Sequence, residues 1–287
     1  MTNVERLGRP AIPRTRSALE KLVGQYANHY EIPQARIRNW ISFMILAGAL
    51  ERVQDDAGAS AFVVKGGVAL ELRLRLRARA TRDFDACFRE RFGEMLEVLD
   101  AALAEPYGDF CLARKGVIRD LGGKAKRIEV QVQYRDKPWA TVQMEVSAGD
   151  GQLMEAERVP ATDLSELGLD GPVFIHCLST RYQIAQKIHA VTSPPREGRQ
   201  NERYRDLVDL WLLRALRTNL AQVRRACEDV FRSRAMHAWP PEVHVPGHWA
   251  GPFARLAGEV GLPTTDVDEA AEALRAYIAE IALADSA

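Results

Sequence analysis

What the 287-residue sequence lacks narrows its chemistry first. It carries no excess of either charge: 39 Lys+Arg stand against 39 Asp+Glu. A formal net charge of zero removes any global electrostatic argument for a nucleic-acid or membrane partner, so a basic surface must be local. The four cysteines, Cys87, Cys111, Cys177 and Cys227, are scattered rather than paired at metal-ligand spacing. That argues against a zinc site and a disulfide framework, and reads as reduced, buried thiols in a cytoplasmic protein. No run approaches the ~20 apolar residues a membrane span needs. The longest candidate, Ile41 to Leu50, is flanked by charge and fits a buried helix. The opening MTNVERLGRPAIPRTRS is basic but has no apolar signal core, which points to a frayed arm rather than a secretion signal. Internal repeats and low-complexity tracts are also missing.

What is present is ordinary globular material, 47% hydrophobic and 27% charged, enough for a catalytic domain and a helical one. Helical spacing of Leu19, Leu22, Val23 and Tyr26, then of Ile37, Trp40, Ile41, Met44 and Ile45, predicts two helices between Ser17 and Arg52. Ala61–Val64 suits a buried strand that ends at Lys65-Gly66-Gly67. The following stretch alternates like a strand, but its Ala, Leu, Arg and Glu are strong helix formers, which predicts a helix from Val68 to Arg79. A strand then carries Asp83-Phe84-Asp85, and Glu90 to Ala104 reads as an amphipathic helix. RIEVQVQYR and WATVQMEVS alternate strictly around the turn Arg135–Pro138, a β-hairpin. Beyond it the pattern turns helical, over Arg181–Val191, Arg203–Arg217, Ala221–Ala235 and Val267–Ala284. A polar loop, Ser193–Glu202, lies between the first two.

The chemistry-bearing residues cluster in two places. Gly66 and Gly67, between a strand and a helix, would let backbone N–H groups approach a triphosphate at a helix N-terminus, or be simply a turn. In a strand, Asp83 and Asp85 project to one face while Phe84 enters the core. Two carboxylates so close repel unless a cation sits between them, and magnesium takes such oxygen ligands together with substrate phosphates. The plainer alternative is a solvated pair neutralised by Arg82. A third carboxylate would come from the hairpin, where Glu145 shares a polar face with Thr141 and Gln143; Glu129 is the competitor.

Further along, Lys187 lies off the apolar stripe of Ile184, Ile188 and Val191. Asp206 and Asp209 share a helix face, with Arg205 able to pair with Asp209. This reads either as an ion-pair network or as Lys187 on a nucleotide phosphate, with Asp209 orienting Lys187 or a substrate hydroxyl. Arg75, Arg79 and Arg82 would cluster on one side of the predicted helix, and Arg73 and Arg77 on another. They could hold an RNA backbone or neutralise Glu71 and its neighbours. The segment HAWPPEVHVPGHW, with His237, His244, His248, Trp239 and Trp249, reads as a packed connector rather than a metal site.

The order strand, Gly-Gly turn, helix and Asp-x-Asp resembles nucleotidyltransferases related to polymerase β. More specifically, VKGGVALELR, TRDFD, ATVQMEVS, YQIAQKIHAVT, RDLVDL, AWPPEV and PGHW, from about residue 62 to 249, resemble the AbiEii-type toxins of bacterial toxin–antitoxin pairs, particularly the mycobacterial MenT branch. The resemblance implies an α+β fold: a polymerase-β-like mixed sheet (56–178) with N-terminal arm and helices (1–55) and a helical C-terminal domain (179–287). It implies magnesium-dependent transfer of a nucleoside monophosphate, from CTP or UTP, to the 3′ end of tRNA, which blocks aminoacylation and growth. The same fold also serves transfer to a small molecule or a protein, or a non-catalytic binding module. Carried over by motif, Lys65, Gly66 and Gly67 bind nucleotide, Asp83 and Asp85 bind metal with Glu145 as third ligand, and Lys187 and Asp209 are essential partners. Thr81 occupies a position that is a phosphorylated serine in a relative. The implied partners are tRNA and an antitoxin, AbiEi-like or a kinase, with no membrane.

Overall fold

The computed structural model describes residues 7–54, 58–149, 155–194 and 201–285. The chain forms two compact units. The first comprises residues 1–73, 80–149 and 156–177; the second comprises 74–79, 150–155 and 178–287.

The first unit begins with α1 (Arg16–Tyr30), whose N-cap Thr15 accepts the Ala18 N–H, and α2 (Gln34–Leu50). Every residue of α2 from Ile41 to Leu50 is buried, as the sequence predicts, and the helix packs against α1, α4 (Met95–Ala104) and β5 (Lys137–Ala148). The seven strands are β1 (Phe62–Lys65), β2 (Asp83–Phe88), β3 (Phe110–Asp120), β4 (Ala125–Tyr134), β5, β6 (Ala156–Pro160) and β7 (Phe174–Leu178). They form one mixed sheet in the order β3-β4-β5-β2-β1-β7-β6. β2 runs parallel to β5 and antiparallel to β1, while β1 is parallel to β7. The expected hairpin is β4–β5, turning at Arg135-Asp136, where both residues take positive φ as a tight two-residue turn demands. One sheet face supplies the core through Phe84, Ile128, Val130, Val132, Met144 and Val146.

Three expectations need correction. The helix predicted over Val68–Arg79 is α3 (Gly66–Leu74) with a short 3-10 turn at Arg75–Arg77, because Arg75 takes φ 56° and ends the α-helix. The helix predicted from Glu90 starts only at Met95, after a 3-10 turn at Phe92–Glu94. Of the cysteines, Cys87, Cys177 and Cys227 are buried free thiols, but Cys111 near the start of the edge strand β3 is half-exposed. The strands β3, β6 and β7 have no counterpart in the sequence reading.

The second unit is helical: α5 (Thr180–Thr192), α6 (Tyr204–Arg214), α7 (Leu220–Arg234), α8 (Ala250–Glu259) and α9 (Val267–Leu283). α5 packs on α6 and α7, and α9 on α6 and α7. The Pro- and Trp-bearing connector is packed in part. Trp249 is fully buried and His237 meets Thr192 at 2.8 Å, whereas His244 lies exposed beside Glu242. Of the polar loop 193–202, residues 195–200 lie outside the described residues. Among the described residues, no helix is long and apolar enough to cross a membrane.

Candidate active site

At the β1–α3 junction the glycine pair does more than turn the chain. Gly66 has φ +63°, and a Cβ there would stand 2.0 Å from Asp85 Oδ2; a Cβ on Gly67 would stand 2.4 Å from Thr81 Oγ1. The two residues are therefore glycine because a carboxylate and a hydroxyl lie directly against the first turn of α3. The same packing fixes Asp85 close to a helix N-terminus, where orphan N–H groups and the helix dipole favour negative charge.

Phe84 is fully buried, its ring 5.9 Å from that of Phe43, and this anchors the strand between the two aspartates. Asp83 is exposed and Asp85 half-buried, on one face of β2. The register sets Lys65 on β1 and Glu145 on β5 at either side of Asp85. Glu129 lies one strand further out, opposite Gln143, whose side-chain amide donates to it at 2.9 Å. Of the two candidates for the third carboxylate, Glu145 is thus the neighbour of Asp85 and Glu129 is not.

Two partners of this row were not singled out from sequence. Arg127 Nη2 approaches Glu145 Oε2 at 3.2 Å from β4. Lys65 Nζ donates to Ser147 Oγ at 2.7 Å, which in turn sits 3.4 Å from Cys87 Sγ. The polar alternation of β4 signals Arg127, but only the hairpin register assigns it to Glu145. Among the described residues no three His, Cys, Asp or Glu side chains form a ready metal cage. Asp83 and Asp85 nevertheless offer hard oxygen donors on one strand face. That suits magnesium, which is bound by one or two carboxylates together with substrate phosphates and water rather than by an all-protein cage.

α2 braces the approach to β2. Glu71 on α3 is buried at 7% exposure and pairs with Arg36 at 2.8 Å, with the Trp40 indole N–H at 3.4 Å. Burial raises the Glu71 carboxyl above its ordinary range, opposed by Arg36, Trp40 and the Thr81 backbone. Asn39 donates to the Thr81 carbonyl at 3.2 Å. The Thr81 hydroxyl, 6% exposed, donates to the Asp83 carbonyl at 3.3 Å. In this conformation a phosphoryl group on Thr81 requires the Gly67 turn to move. The neutralising partner of Glu71 is Arg36, not the arginines that follow it in sequence, and the helix expected to carry the arginine ridges ends at Leu74. Arg73 instead pairs with Glu157, and Arg79 belongs to a different network.

That network lies in the second unit. Asp209, fully buried on α6, accepts from Lys187 Nζ at 2.7 Å and from Arg79 Nε and Nη2 at 2.9 and 3.0 Å. Lys187 also donates to Asp206 Oδ1 at 2.7 Å. Burial works against the Lys187 ammonium, but the two aspartates overcome it and hold its pKa above the ordinary lysine value. For Asp206, burial opposes ionisation and Lys187, with Arg203 and Arg79, lowers its pKa below the usual carboxylate range. These distances bring Lys187 and Asp209 together in one buried ion-pair network. The expected Arg205–Asp209 pair does not form, because the bidentate Arg79 occupies that carboxylate; Arg205 lies beside Tyr204. An ammonium has three donors, and Asp206 and Asp209 take two of those on Lys187.

The family model described as nucleotidyl transferase AbiEii toxin, type IV toxin–antitoxin system, matches residues 48–282. Among solved structures, the chain is similar to MenT4, a nucleotidyltransferase toxin from Mycobacterium tuberculosis H37Rv. The TM-score is 0.59 at 15% identity, over 95% of this chain and 91% of that one. A nucleotidyltransferase from H. pylori gives a TM-score of 0.43 at 16% identity, over 85% of this chain and 93% of that chain. No curated protein matches the sequence.

Proposed function

Because the chain belongs to the AbiEii family of nucleotidyl transferase toxins of type IV toxin–antitoxin systems, we propose that it transfers a nucleoside monophosphate from CTP or UTP to the 3′ end of tRNA. The observation that carries this reading is the packing of Asp85 against Gly66 with Glu145 on the adjoining strand. It sets a carboxylate row beside a helix N-terminus that can receive a triphosphate. Asp83 and Asp85 would hold magnesium on the triphosphate, with Glu145 as third ligand; when bound, the metal stabilises charge on the entering and leaving oxygens.

In the transfer, the RNA 3′ oxygen bonds to the α-phosphorus as the bond to the β-phosphate oxygen breaks and pyrophosphate departs. Glu145 draws the proton from the attacking hydroxyl. The backbone at Gly66–Gly67, with Lys65 nearby, receives phosphate charge. Lys187 and Asp209 are carried over by motif as essential partners in the reaction, with Lys187 the residue for nucleotide phosphate. Membership of a toxin–antitoxin family implies an antitoxin, which we read as AbiEi-like or as a kinase acting on Thr81. Phosphate there would add about −1.5 to −2 charges beside Asp83.

The test is transfer of label from each NTP to total RNA, followed by 3′-end sequencing, with Asp83→Ala beside the wild type. The variant is expected to keep its circular dichroism and melting behaviour and lose transfer by several orders of magnitude. Undiminished transfer by Asp83→Ala would end the proposal. Label that enters a small-molecule or protein pool instead would move the acceptor away from RNA.

A further inference from the structure

The register row through Asp85 continues beyond Glu145. It runs from Asp85 on β2 to Glu145 on β5, Arg127 on β4 and Arg119 on β3. Residues in one row share a sheet face, and strands lie ~4.8 Å apart, so Arg127 and Arg119 stand roughly 10 and 14 Å from Asp85. Lys115 belongs to the same face, opposite Glu129. An irregularity between Lys115 and Arg119, with Gly116 at φ +71°, sets these two residues opposite Glu129 and Arg127, which are only two positions apart on β4. It therefore draws two cations together that a regular strand would separate by about 13 Å.

The charges at this edge divide cleanly. Arg114 is committed to Asp100 and Lys126 to Asp120. Arg127 reaches Glu145 with its side chain still 46% exposed. Lys115 and Arg119 are exposed, and neither forms an ion pair with any described residue. In a chain of zero net charge, exposed cations free of ion pairs with described residues, gathered beside Arg127 at the end of the carboxylate row, form a local basic edge, the kind that holds a phosphate backbone.

Resting on the proposed transfer to RNA, we propose that Lys115 and Arg119, with Arg127, grip the phosphates of the acceptor strand as its 3′ end approaches Asp85 and Glu145. The neighbouring row on this face runs from Asp83 through Gln143 on β5 and Glu129 on β4 to Lys115, and there the Gln143 amide donates to Glu129 at 2.9 Å. The rival occupant is an acidic protein, for which Val117, 86% exposed, and Leu121, 42% exposed, would supply apolar contacts at the same edge.

The surface is tested on the full chain by fluorescence anisotropy of a labelled single-stranded RNA in EDTA across a salt series. Lys115→Gln/Arg119→Gln and Arg119→Glu are compared with wild type; both positions are exposed, and Arg127 is left intact because it touches Glu145. With about 0.7 counterions released per phosphate contact, the double variant should flatten the log–log salt slope by ~1.4 and weaken binding about 25-fold at 0.1 M salt. KM for RNA transfer should rise in parallel, with kcat and transfer to a dinucleotide acceptor unchanged. A double variant with wild-type affinity and slope overturns the proposal. So does a surface that binds polyglutamate but not RNA, through these same two residues. RNA binding that depends on both residues, in a wild-type chain that transfers no nucleotide to it, supports the surface and overturns the transfer reading instead.

Discussion

Replacing Gly66 by alanine should be costly for two separable reasons. Alanine at φ +63° carries a left-handed strain of about 1–2 kcal/mol. Its methyl would also fall 2.0 Å from Asp85 Oδ2, 2.9 Å from Cγ and 3.0 Å from Cβ. The whole Asp85 side chain must then swing away, an overpacking cost of roughly 1–3 kcal/mol. The sum is about 2–5 kcal/mol, measured by urea unfolding. In an Asp85→Ala background the Oδ2 and Cγ contacts vanish and only the 3.0 Å contact to the Cβ that alanine keeps remains, relieved by a small shift, so Gly66→Ala should cost little more than the backbone strain. The double-mutant cycle through wild type, both single variants and the double variant therefore predicts a coupling of about 1–3 kcal/mol. Equal costs of Gly66→Ala in both backgrounds, within about 0.5 kcal/mol, would show that the carboxylate does not rest on this glycine. The account of why the glycine pair is there would then fail.

Two further outcomes follow from buried charge. Asp209→Ala strands Lys187 and Arg79 without their shared carboxylate and should destabilise the fold by about 3–5 kcal/mol in a denaturant melt, whereas a loss below about 1 kcal/mol would contradict the network. His189, 2% exposed with its Nε2 unpartnered among the described residues, is pushed down from 6.5 to about 4 by burial, with Arg234 and His237 adding to the effect. The unfolded chain takes up this proton near pH 6.5 and the folded chain does not. Stability is therefore full above pH 6.5 and declines as pH falls toward 4, by about 3 kcal/mol in total. Urea melts at pH 7.5, 5.5 and 4.5 should show this decline in wild type and a flatter profile in His189→Phe; identical profiles would assign the acid sensitivity elsewhere.

Periodicity revealed α1, α2, the β4–β5 hairpin and most of the second unit's helices, because each repeats its apolar residues over two or more turns or over a whole strand. The reach of α3 was not legible. The run from Val68 to Arg79 is made of good helix formers, yet Arg75 breaks it and Arg79 turns to an aspartate 130 residues away. Local propensity carries no trace of so distant a partner. For the third carboxylate, alternation gave the face but not the partner. A register shift between Val132 and Gln133 on β4 decides that Glu145 meets Arg127, and a slip of one residue would have set it opposite Lys126. β3 escaped notice because its own irregularity, around Gly116, interrupts the alternation by which a strand is read.

The discontinuity of the second unit has a consequence for how the chain is made. Its segment 74–79 leaves the ribosome long before α6, and Arg79 must wait through 130 residues of synthesis for Asp209. A contact of such sequence separation closes late. Until it does, Asp209 has only Lys187 to offset its burial. A C-terminal fragment beginning at residue 178 would remain in that half-finished state for good. A cut at that boundary would therefore separate a buried carboxylate from one of its two cations.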